Sequence, residues 1–244
     1  MEAPGMITLL AMKWRRQSVG HQLPSAIEEY TADHVNHWCR MLRANLTIPH
    51  RLICITDDPN GVHECPTLPM WGLEDAGGCF HRLRLFDTDS LPAEVSAAIG
   101  DRFGWLDLDC VVTGNVDHIF GRTEPVVMNA RQHASKPAQL FNGALCLLGR
   151  NAAPEVWRSY ATARREAAAY AARLNEAGYM VGSDQLWIAL MAPWAATVGY
   201  QDGIREAGLL KRKPPDKNAR LVLFSGVRDP SNFSRFEWAR EYWK

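Results

Sequence analysis

The segment from Phe103 to Phe120, FGWLDLDCVVTGNVDHIF, constrains the fold most, because two carboxylates interrupt an apolar run. Aspartates are rarely buried unless they are paired or bound to a metal. On a β-strand, side chains two positions apart point to the same face, with alpha-carbons about 6.6 Å apart. The pattern therefore predicts that Asp107 and Asp109 converge where a buried strand leaves its sheet. The alternative is a pair of polar residues solvated at a sheet edge.

Converging carboxylates are typical of a site for a hard divalent cation. Oxygen-only ligation suits Mg²⁺ or Mn²⁺, which usually keep water and take the rest of their shell from substrate phosphates. We therefore expect Asp107 and Asp109 to bind one such ion. The leading hypothesis from these residues is a metal-assisted enzyme that acts on a nucleotide diphosphate substrate.

Composition limits the class of protein and its partners. The chain has 244 residues, 47% of them hydrophobic, which predicts one domain over residues 1–244 with a substantial core. Lys plus Arg equals Asp plus Glu, at 27 each, so no net field favours a nucleic-acid backbone or an anionic membrane. The six cysteines include no Cys-x-x-Cys pair, which argues against a zinc site.

The N-terminal residues and the apolar runs predict a location. The start, MEAPGMITLLAMKW, lacks the pattern of a signal peptide. No apolar run approaches the roughly 20 residues of a membrane helix. We expect a soluble, cytoplasmic protein without a membrane span.

Strand and helix patterns alternate early in the chain and mix later, which predicts a largely parallel sheet with antiparallel additions. Residues 66–78 are loop-like in composition. The predicted strands are Met6–Met12, Arg51–Thr56, Phe103–Leu108, Pro125–Ala130, Ala144–Leu148 and Leu221–Phe224. The predicted helices are Thr31–Leu46, Phe80–Phe86, Pro154–Glu176, Ser183–Met191 and Arg235–Trp243.

Several segments together resemble a known family. WLDLDCVVTGNVDHIF is similar to the metal-binding Asp-x-Asp segment of GT-A-fold glycosyltransferases, and most similar to a family 8-like group with short bacterial and phage members. Five further segments follow in the order that this group requires: RLICITDD, GGCFHRLRLF, LFNGALCLL, GSDQLWI and LVLFSGVRDP.

The resemblance implies an α/β class fold, a Rossmann-like α/β/α sandwich with a mixed central sheet. It implies transfer of a sugar from a nucleotide diphosphate sugar to an acceptor hydroxyl, with Mn²⁺ or Mg²⁺ as cofactor and with retention of configuration. The acceptor is left open, and an inverting enzyme with Asp184 as its base is the alternative. The implied site residues are Asp57 and Asp58 near the nucleoside, Arg82 at a phosphate, Asp107 and Asp109 at the metal, Asn142 and Gly143 beside the sugar, Asp184 and Gln185 at the reaction centre, and Gly226 and Arg228 over the diphosphate.

The late segment departs from the family pattern. The family usually has a histidine there as a third metal ligand, whereas Leu223 and Ser225 occupy the candidate positions. We take Ser225 as the third ligand, although a hydroxyl is a poorer ligand than imidazole.

Each of these residues also has a structural interpretation. Asp184 at a helix start complements the helix dipole, Arg82 is an exposed helix charge, and Asn142 and Gly143 form a turn before a strand. Two other functions stay open. One is a non-catalytic protein that binds nucleotide sugars, and the other is a phosphohydrolase of the haloacid dehalogenase type, with Asp107 as nucleophile and Asp109 as general acid.

Overall fold

A seven-stranded mixed sheet forms the centre of the molecule and carries helices on both faces. The computed structural model describes residues 5–14, 30–71, 78–132, 140–164, 166, 169, 173, 184–224 and 229–243. The strand order is β3-β2-β1-β4-β7-β6-β8. These strands are β1 Ile7–Lys13, β2 His50–Thr56, β3 Thr67–Pro69, β4 Arg102–Leu106, β6 Val126–Ala130, β7 Phe141–Gly149 and β8 Ala196–Val198.

Strand β1 lies at the point where the order of the sheet reverses. It pairs in parallel with β2 on one side and with β4 on the other. In open α/β sheets, ligands bind outside the carboxyl ends of the strands at such a point. Strand β7 runs antiparallel to both β4 and β6, which makes the sheet mixed, as the sequence predicts.

A second, three-stranded sheet has the order β5-β10-β9. Strand β10 is antiparallel to β5 and parallel to β9. Since β5 starts four residues after β4 ends, the Asp-x-Asp segment connects the two sheets. The strands are β5 Cys110–Val112, β9 Ile204–Glu206 and β10 Leu221–Leu223.

The helices complete the α/β/α sandwich. One face of the central sheet packs against α1 and the second sheet, and the other face packs against α2, α4, α5 and a long 3₁₀ helix. Among the helices that the structure describes, none combines the length and the apolar character that crossing a membrane requires. The α-helices are α1 Ala32–Asn45, α2 Ala93–Ile99, α3 Asp117–Phe120, α4 Pro154–Thr162 and α5 Gln185–Met191, and 3₁₀ helices cover Gly78–Phe86 and Glu237–Glu241.

The structure corrects four of the expected elements. Strand β4 ends at Leu106, so Asp107 and Asp109 do not share the face of one regular strand. Residues 66–78 include strand β3, and the predicted helices over residues 80–86 and 235–243 are 3₁₀ helices. Of the predicted helix over residues 154–176, α4 covers residues 154–162, and the described residues 164, 166, 169 and 173 beyond it are also α-helical.

Candidate functional site

The Asp-x-Asp segment is held by backbone hydrogen bonds to both sheets. The amide of Asp107 donates to the carbonyl of Ala144 on β7, at 2.8 Å, and the carbonyl of Asp109 accepts from the amide of Phe224 after β10, at 2.8 Å. Asp107 and Asp109 therefore lie at the carboxyl end of β4, although the strand itself stops before them.

Arg82 is the centre of a buried polar cluster and is only 4% exposed. Its Nη1 donates to Asp107 Oδ1 at 2.6 Å and to the carbonyl of Gly143 at 3.0 Å. Its Nε and Nη2 lie 2.9 Å and 2.7 Å from Asp184 Oδ2. The interpretation of Arg82 as an exposed helix charge is therefore wrong. We call Arg82, Asp107, Asp184 and Gly143 the Arg82 cluster.

Strand β7 supplies the floor of this cluster. The carbonyl of Gly143 also accepts from Trp105 Nε1, at 2.7 Å, and the guanidinium of Arg82 lies 5.4 Å from the centre of the Trp105 ring. A Cβ atom at Gly143 would come within 2.9 Å of Gln185 Cγ and 3.2 Å of Arg82 Nη2. The cluster therefore needs glycine at position 143.

Asn142 does not form a turn before the strand, because it lies inside β7. Its side-chain Oδ1 accepts from the amide of Ala144 at 2.9 Å. The pairing of β6 with β7 shifts register between Met128 and Asn129, and Asn129 is paired with Asn142. The buried Asn142 side chain therefore accompanies an irregularity in the sheet beside the Arg82 cluster.

Asp109 is buried in a different way from Asp184. Its residue is 8% exposed and, within the described ranges, it has no ion pair. Burial raises the pKa of the Asp109 carboxyl well above its ordinary value, and the nearby charge of Asp107 raises it further. A hydrogen bond with the side chain of Tyr30 opposes this rise. A carboxylate in this position would be stabilised by a cation.

Burial and the charge of Arg82 act in opposite directions on the pKa values of Asp107 and Asp184. Burial raises the pKa of each carboxyl, and the Arg82 guanidinium opposes the rise. The charge of Asp184 adds to the rise in the pKa of Asp107. About a third of the Asp107 side chain remains exposed, at 33%, whereas Asp184 is 1% exposed. Asp107 is thus the more solvent-exposed carboxylate of the cluster.

Among the buried oxygen atoms that lack hydrogen-bond donors within the described residues, two lie beside the Arg82 cluster. They are Asp184 Oδ1 and Gln185 Oε1, at the start of α5. Buried polar atoms in native structures are normally satisfied by protein, water or ligand. These two atoms are candidate acceptors for hydroxyl groups of a bound molecule.

The other predicted residues lie apart from the cluster or outside the described residues. Asp57 is exposed after β2, and Asp58 Oδ2 lies 3.9 Å from the Nζ of Lys13 at the end of β1. Leu223 is buried in β10, paired with Cys110. The predicted site residues Ser225, Gly226 and Arg228, and the predicted helix cap Ser183, lie outside the described residues.

A metal site is not complete within the described part of the chain. No group of three or more His, Cys, Asp or Glu side chains there is arranged to hold an ion. Asp107 and Asp109 still suit a hard cation, because they offer oxygen ligands at one end of the sheet and Asp109 is buried without an ion-pair partner among the described residues. Two protein carboxylates suffice for an ion whose other ligands are water and phosphate.

Sequence reasoning missed three residues near the site. Lys13 follows the apolar run of β1, and its buried amine is the positive neighbour of Asp58. Tyr30 precedes the capping residue of α1 and hydrogen-bonds Asp109. Trp105 orients the carbonyl of Gly143. Of the three, only Lys13 could have been recognised from the sequence, because it is a cation directly after an apolar run that predicts a buried strand.

Comparisons with known proteins give similarity of fold. No family model and no curated protein matches the chain. The glycosyltransferase GlyE of Streptococcus pneumoniae TIGR4 aligns over 97% of this chain with a TM-score of 0.59 and 12% identity, and the chain spans 60% of GlyE. The galactosyltransferase LgtC, solved with donor and acceptor sugar analogues, aligns over 97% of this chain and 94% of its own, with a TM-score of 0.57 and 9% identity. The chain therefore has the GT-A-type α/β fold of these glycosyltransferases, as the sequence predicts.

Proposed function

We propose that the chain is a metal-dependent glycosyltransferase, nearest to the family 8-like group, that moves a sugar from a nucleotide diphosphate sugar to an acceptor hydroxyl. One observation carries the proposal. At the carboxyl end of β4, the buried Asp109 has no ion-pair partner among the described residues, next to Asp107, which is already bonded to Arg82. The GT-A-type fold and the position beside the reversal of strand order support the same site.

Asp107 and Asp109 would hold Mn²⁺ or Mg²⁺. When bound, such an ion neutralises the charge that develops on a leaving diphosphate. The carboxylates fit this role because Asp109 gains a cation for its buried charge and Asp107 remains partly open to solvent. In this proposal Ser225, Gly226 and Arg228 keep the roles that the resemblance implies, near the metal and the diphosphate.

The residues of the Arg82 cluster would place the donor sugar. Arg82 fixes the carboxyl of Asp184 through its Oδ2 atom, which leaves Oδ1 to accept from a sugar hydroxyl. Gln185 Oε1 offers a second acceptor next to it. The fork geometry of a guanidinium suits this orienting task, since it donates to several oxygens in one plane. Asn142 and Gly143 form the adjacent wall, and Asp57 and Asp58 are proposed to lie near the nucleoside.

The sequence around Asp109 favours this function over phosphate-ester hydrolysis. A phosphohydrolase of the haloacid dehalogenase type is expected to have a threonine two residues after its second aspartate, whereas this chain has Val111 there. Retention of configuration follows from the resemblance alone, and nuclear magnetic resonance of the anomeric proton of the product measures it.

Calorimetry on an Asp109→Asn variant tests the proposal. We expect the unchanged protein to bind a nucleoside diphosphate in the presence of Mn²⁺, and the variant to bind it at least about tenfold more weakly, because one charged ligand is lost. The control is Asp101→Asn, since the side chain of Asp101 is 97% exposed. Asp109→Asn removes a buried charge and should leave the protein folded. Equal nucleotide affinity of this variant with and without Mn²⁺, at the level of the unchanged protein, would contradict the metal assignment.

Turnover separates an enzyme from a binding protein of the same fold. We expect slow hydrolysis or transfer of the sugar from a nucleotide diphosphate sugar, lost in Asp109→Asn. Metal-dependent binding without consumption of any donor would favour the non-catalytic alternative.

A further inference from the structure

A cavity beside the second sheet lies outside the site described above. It has a volume of about 220 Å³ and is lined by Ala207, Gly208, Lys211, Arg212, Arg235 and Phe236. Three of its six lining residues are cationic and none is acidic. We call it the basic cavity.

The cations of the basic cavity lack carboxylate partners in the part of the chain that the structure describes. Other arginines are paired there: Arg205 lies 2.6 Å from Asp216, and Arg158 lies 3.0 Å from Asp87. In contrast, Arg235 Nε is buried and has no hydrogen-bond acceptor among the described residues. A buried, unsatisfied guanidinium donor favours an anionic acceptor from outside the chain.

The backbone of the cavity wall is strained where two of the cations lie. Lys211 and Arg212 have φ angles of 48° and 68°, in the left-handed region. Each such residue costs about 1–2 kcal/mol relative to the right-handed conformation. Hydrogen bonds from the amide of Leu210 to Ala207 and from the amide of Lys213 to Leu210 fix the turn. Backbone strain of this kind concentrates at functional sites.

The basic cavity lies at the same end of the second sheet as Asp109. The amide of Phe224 donates to Asp109, and the amide of Ala207 donates to Leu223, at 2.8 Å and 2.9 Å. Asp109, Phe224 and Ala207 are therefore side by side across three strands. The wall of the cavity lies two strand spacings, about 10 Å, from the backbone of Asp109. This distance places the cavity beyond a phosphate bound at Asp109, but within the span of a donor and acceptor together.

We propose that the basic cavity binds a phosphate or similar oxyanion carried by the acceptor substrate. That the cavity binds an oxyanion does not depend on the proposed function. That this oxyanion belongs to the acceptor rests on the proposed function. Arg235 would donate from its buried Nε, and Lys211 and Arg212 would neutralise the charge from the opposite wall. The acceptor would then be an anionic molecule rather than a neutral sugar.

Calorimetric titration of the protein with inorganic phosphate tests the site directly. We expect saturable binding that weakens with salt and falls at least about tenfold in Arg235→Gln. The double variant Lys211→Gln with Arg212→Gln should show the same loss, and both of these residues are exposed, so folding is spared. Lys213→Gln lies in the same turn but outside the cavity and removes one positive charge, as Arg235→Gln does, and it should bind phosphate normally. An absence of saturable binding below about 10 mM phosphate, or equal loss in Lys213→Gln, would overturn the site.

Two further probes identify the source of the anion. Glucose 6-phosphate should bind where glucose does not, and Arg235→Gln should abolish the difference. Affinity for a nucleoside diphosphate with Mn²⁺ should be unchanged in Arg235→Gln. If that affinity falls together with phosphate binding, the cavity serves the donor and the assignment to the acceptor is wrong. Failure of the proposed function itself would show separately, as metal-independent nucleotide binding that Asp109→Asn leaves unchanged.

Discussion

In the Arg82 cluster a buried guanidinium meets two carboxylates, whereas the buried Asp109, two residues after Asp107, has a hydrogen bond with Tyr30 and no ion pair among the described residues. Both regions bring charge out of water at the carboxyl end of β4. The first is balanced by the chain itself, so folding alone assembles it. In the second, no described side chain forms an ion pair with Asp109, and in the proposed function a divalent ion would supply the cation. The comparison therefore separates a half of the site that folding preorganises from a half that, in the proposed function, depends on binding.

Removal of the Arg82 guanidinium, the cation that the chain itself supplies, should have the largest effect on stability. In Arg82→Ala, the buried Asp184 and the partly exposed Asp107 would lose their cation, and breaking a buried ion pair such as that of Arg82 with Asp184 costs about 3–5 kcal/mol. We expect the free energy of unfolding, measured with urea, to fall by about that amount. Arg150→Ala is the matched control, because its partner Asp101 is exposed and such pairs contribute below about 1 kcal/mol.

A loss in Arg82→Ala no larger than that in Arg150→Ala would contradict the view that the cluster is balanced by Arg82. If Arg82→Ala does not fold, Arg82→Lys tests the same point. It keeps the charge but loses the fork that donates to three acceptors, so an intermediate loss of stability is expected.

The sequence predicts the long elements of the fold because their apolar patterns extend over many residues. Strand β1 is an almost continuous apolar run that is buried along its whole length. Helix α1 has apolar positions at helical spacing, and the observed bounds of both elements differ from the predicted ones by a residue at each end. Strands of three residues, such as β5 and β9, are too short to show a period. Of the second sheet, only β10 was predicted, as the strand Leu221–Phe224, and neither the pairing of its strands nor the basic cavity beside it could be predicted.

The candidate site is predictable in its members but not in its contacts. The resemblance brought Arg82, Asp107 and Asp184 together as functional residues. It did not indicate that Arg82 bonds to both carboxylates, because Arg82 and Asp184 are 102 positions apart and only the folded sheet joins them. Tyr30 was missed because a tyrosine before a helix has no feature that marks it as the partner of a distant carboxylate.

A methyl group added at position 143 should disturb only the Arg82 cluster, so its effect can be compared with that of a change at Asp109. In Gly143→Ala the new Cβ would come within 2.9 Å of Gln185 Cγ and 3.2 Å of Arg82 Nη2. Overpacking of this kind costs about 1–3 kcal/mol, and it moves the two groups proposed to place the sugar. We expect that loss in urea unfolding, and a loss of sugar turnover at unchanged affinity for the nucleoside diphosphate with Mn²⁺.

Gly149→Ala is the matched control on the same strand. Its Cβ would meet only ordinary contacts, with the carbonyl of Pro125 at 3.8 Å and Ala152 at 4.0 Å. Stability and turnover of this variant should therefore stay close to those of the unchanged protein. A Gly143→Ala variant that loses nucleotide affinity as strongly as turnover would show that the two regions do not act separately.

The smallest expected effect comes from a third carboxylate of the same segment, which serves as the solvent-exposed reference. Slight burial raises the pKa of Asp117, but hydrogen bonds from Thr47, Asn115 and the amide of Ile48 outweigh it and lower that pKa to about 2. A carboxyl whose folded pKa is below its unfolded value of about 3.9 stabilises the protein above that pH, and the contribution is lost as the pH falls toward 2. Urea unfolding at pH 7 should therefore show Asp117→Asn to be less stable, by below about 1 kcal/mol because solvent screens the charge. The difference from the unchanged protein should shrink when both are measured at pH 3. A difference that grows on acidification would mean that the anionic form of Asp117 does not stabilise the fold, and that Asp117 is not a reference for Asp107 and Asp109.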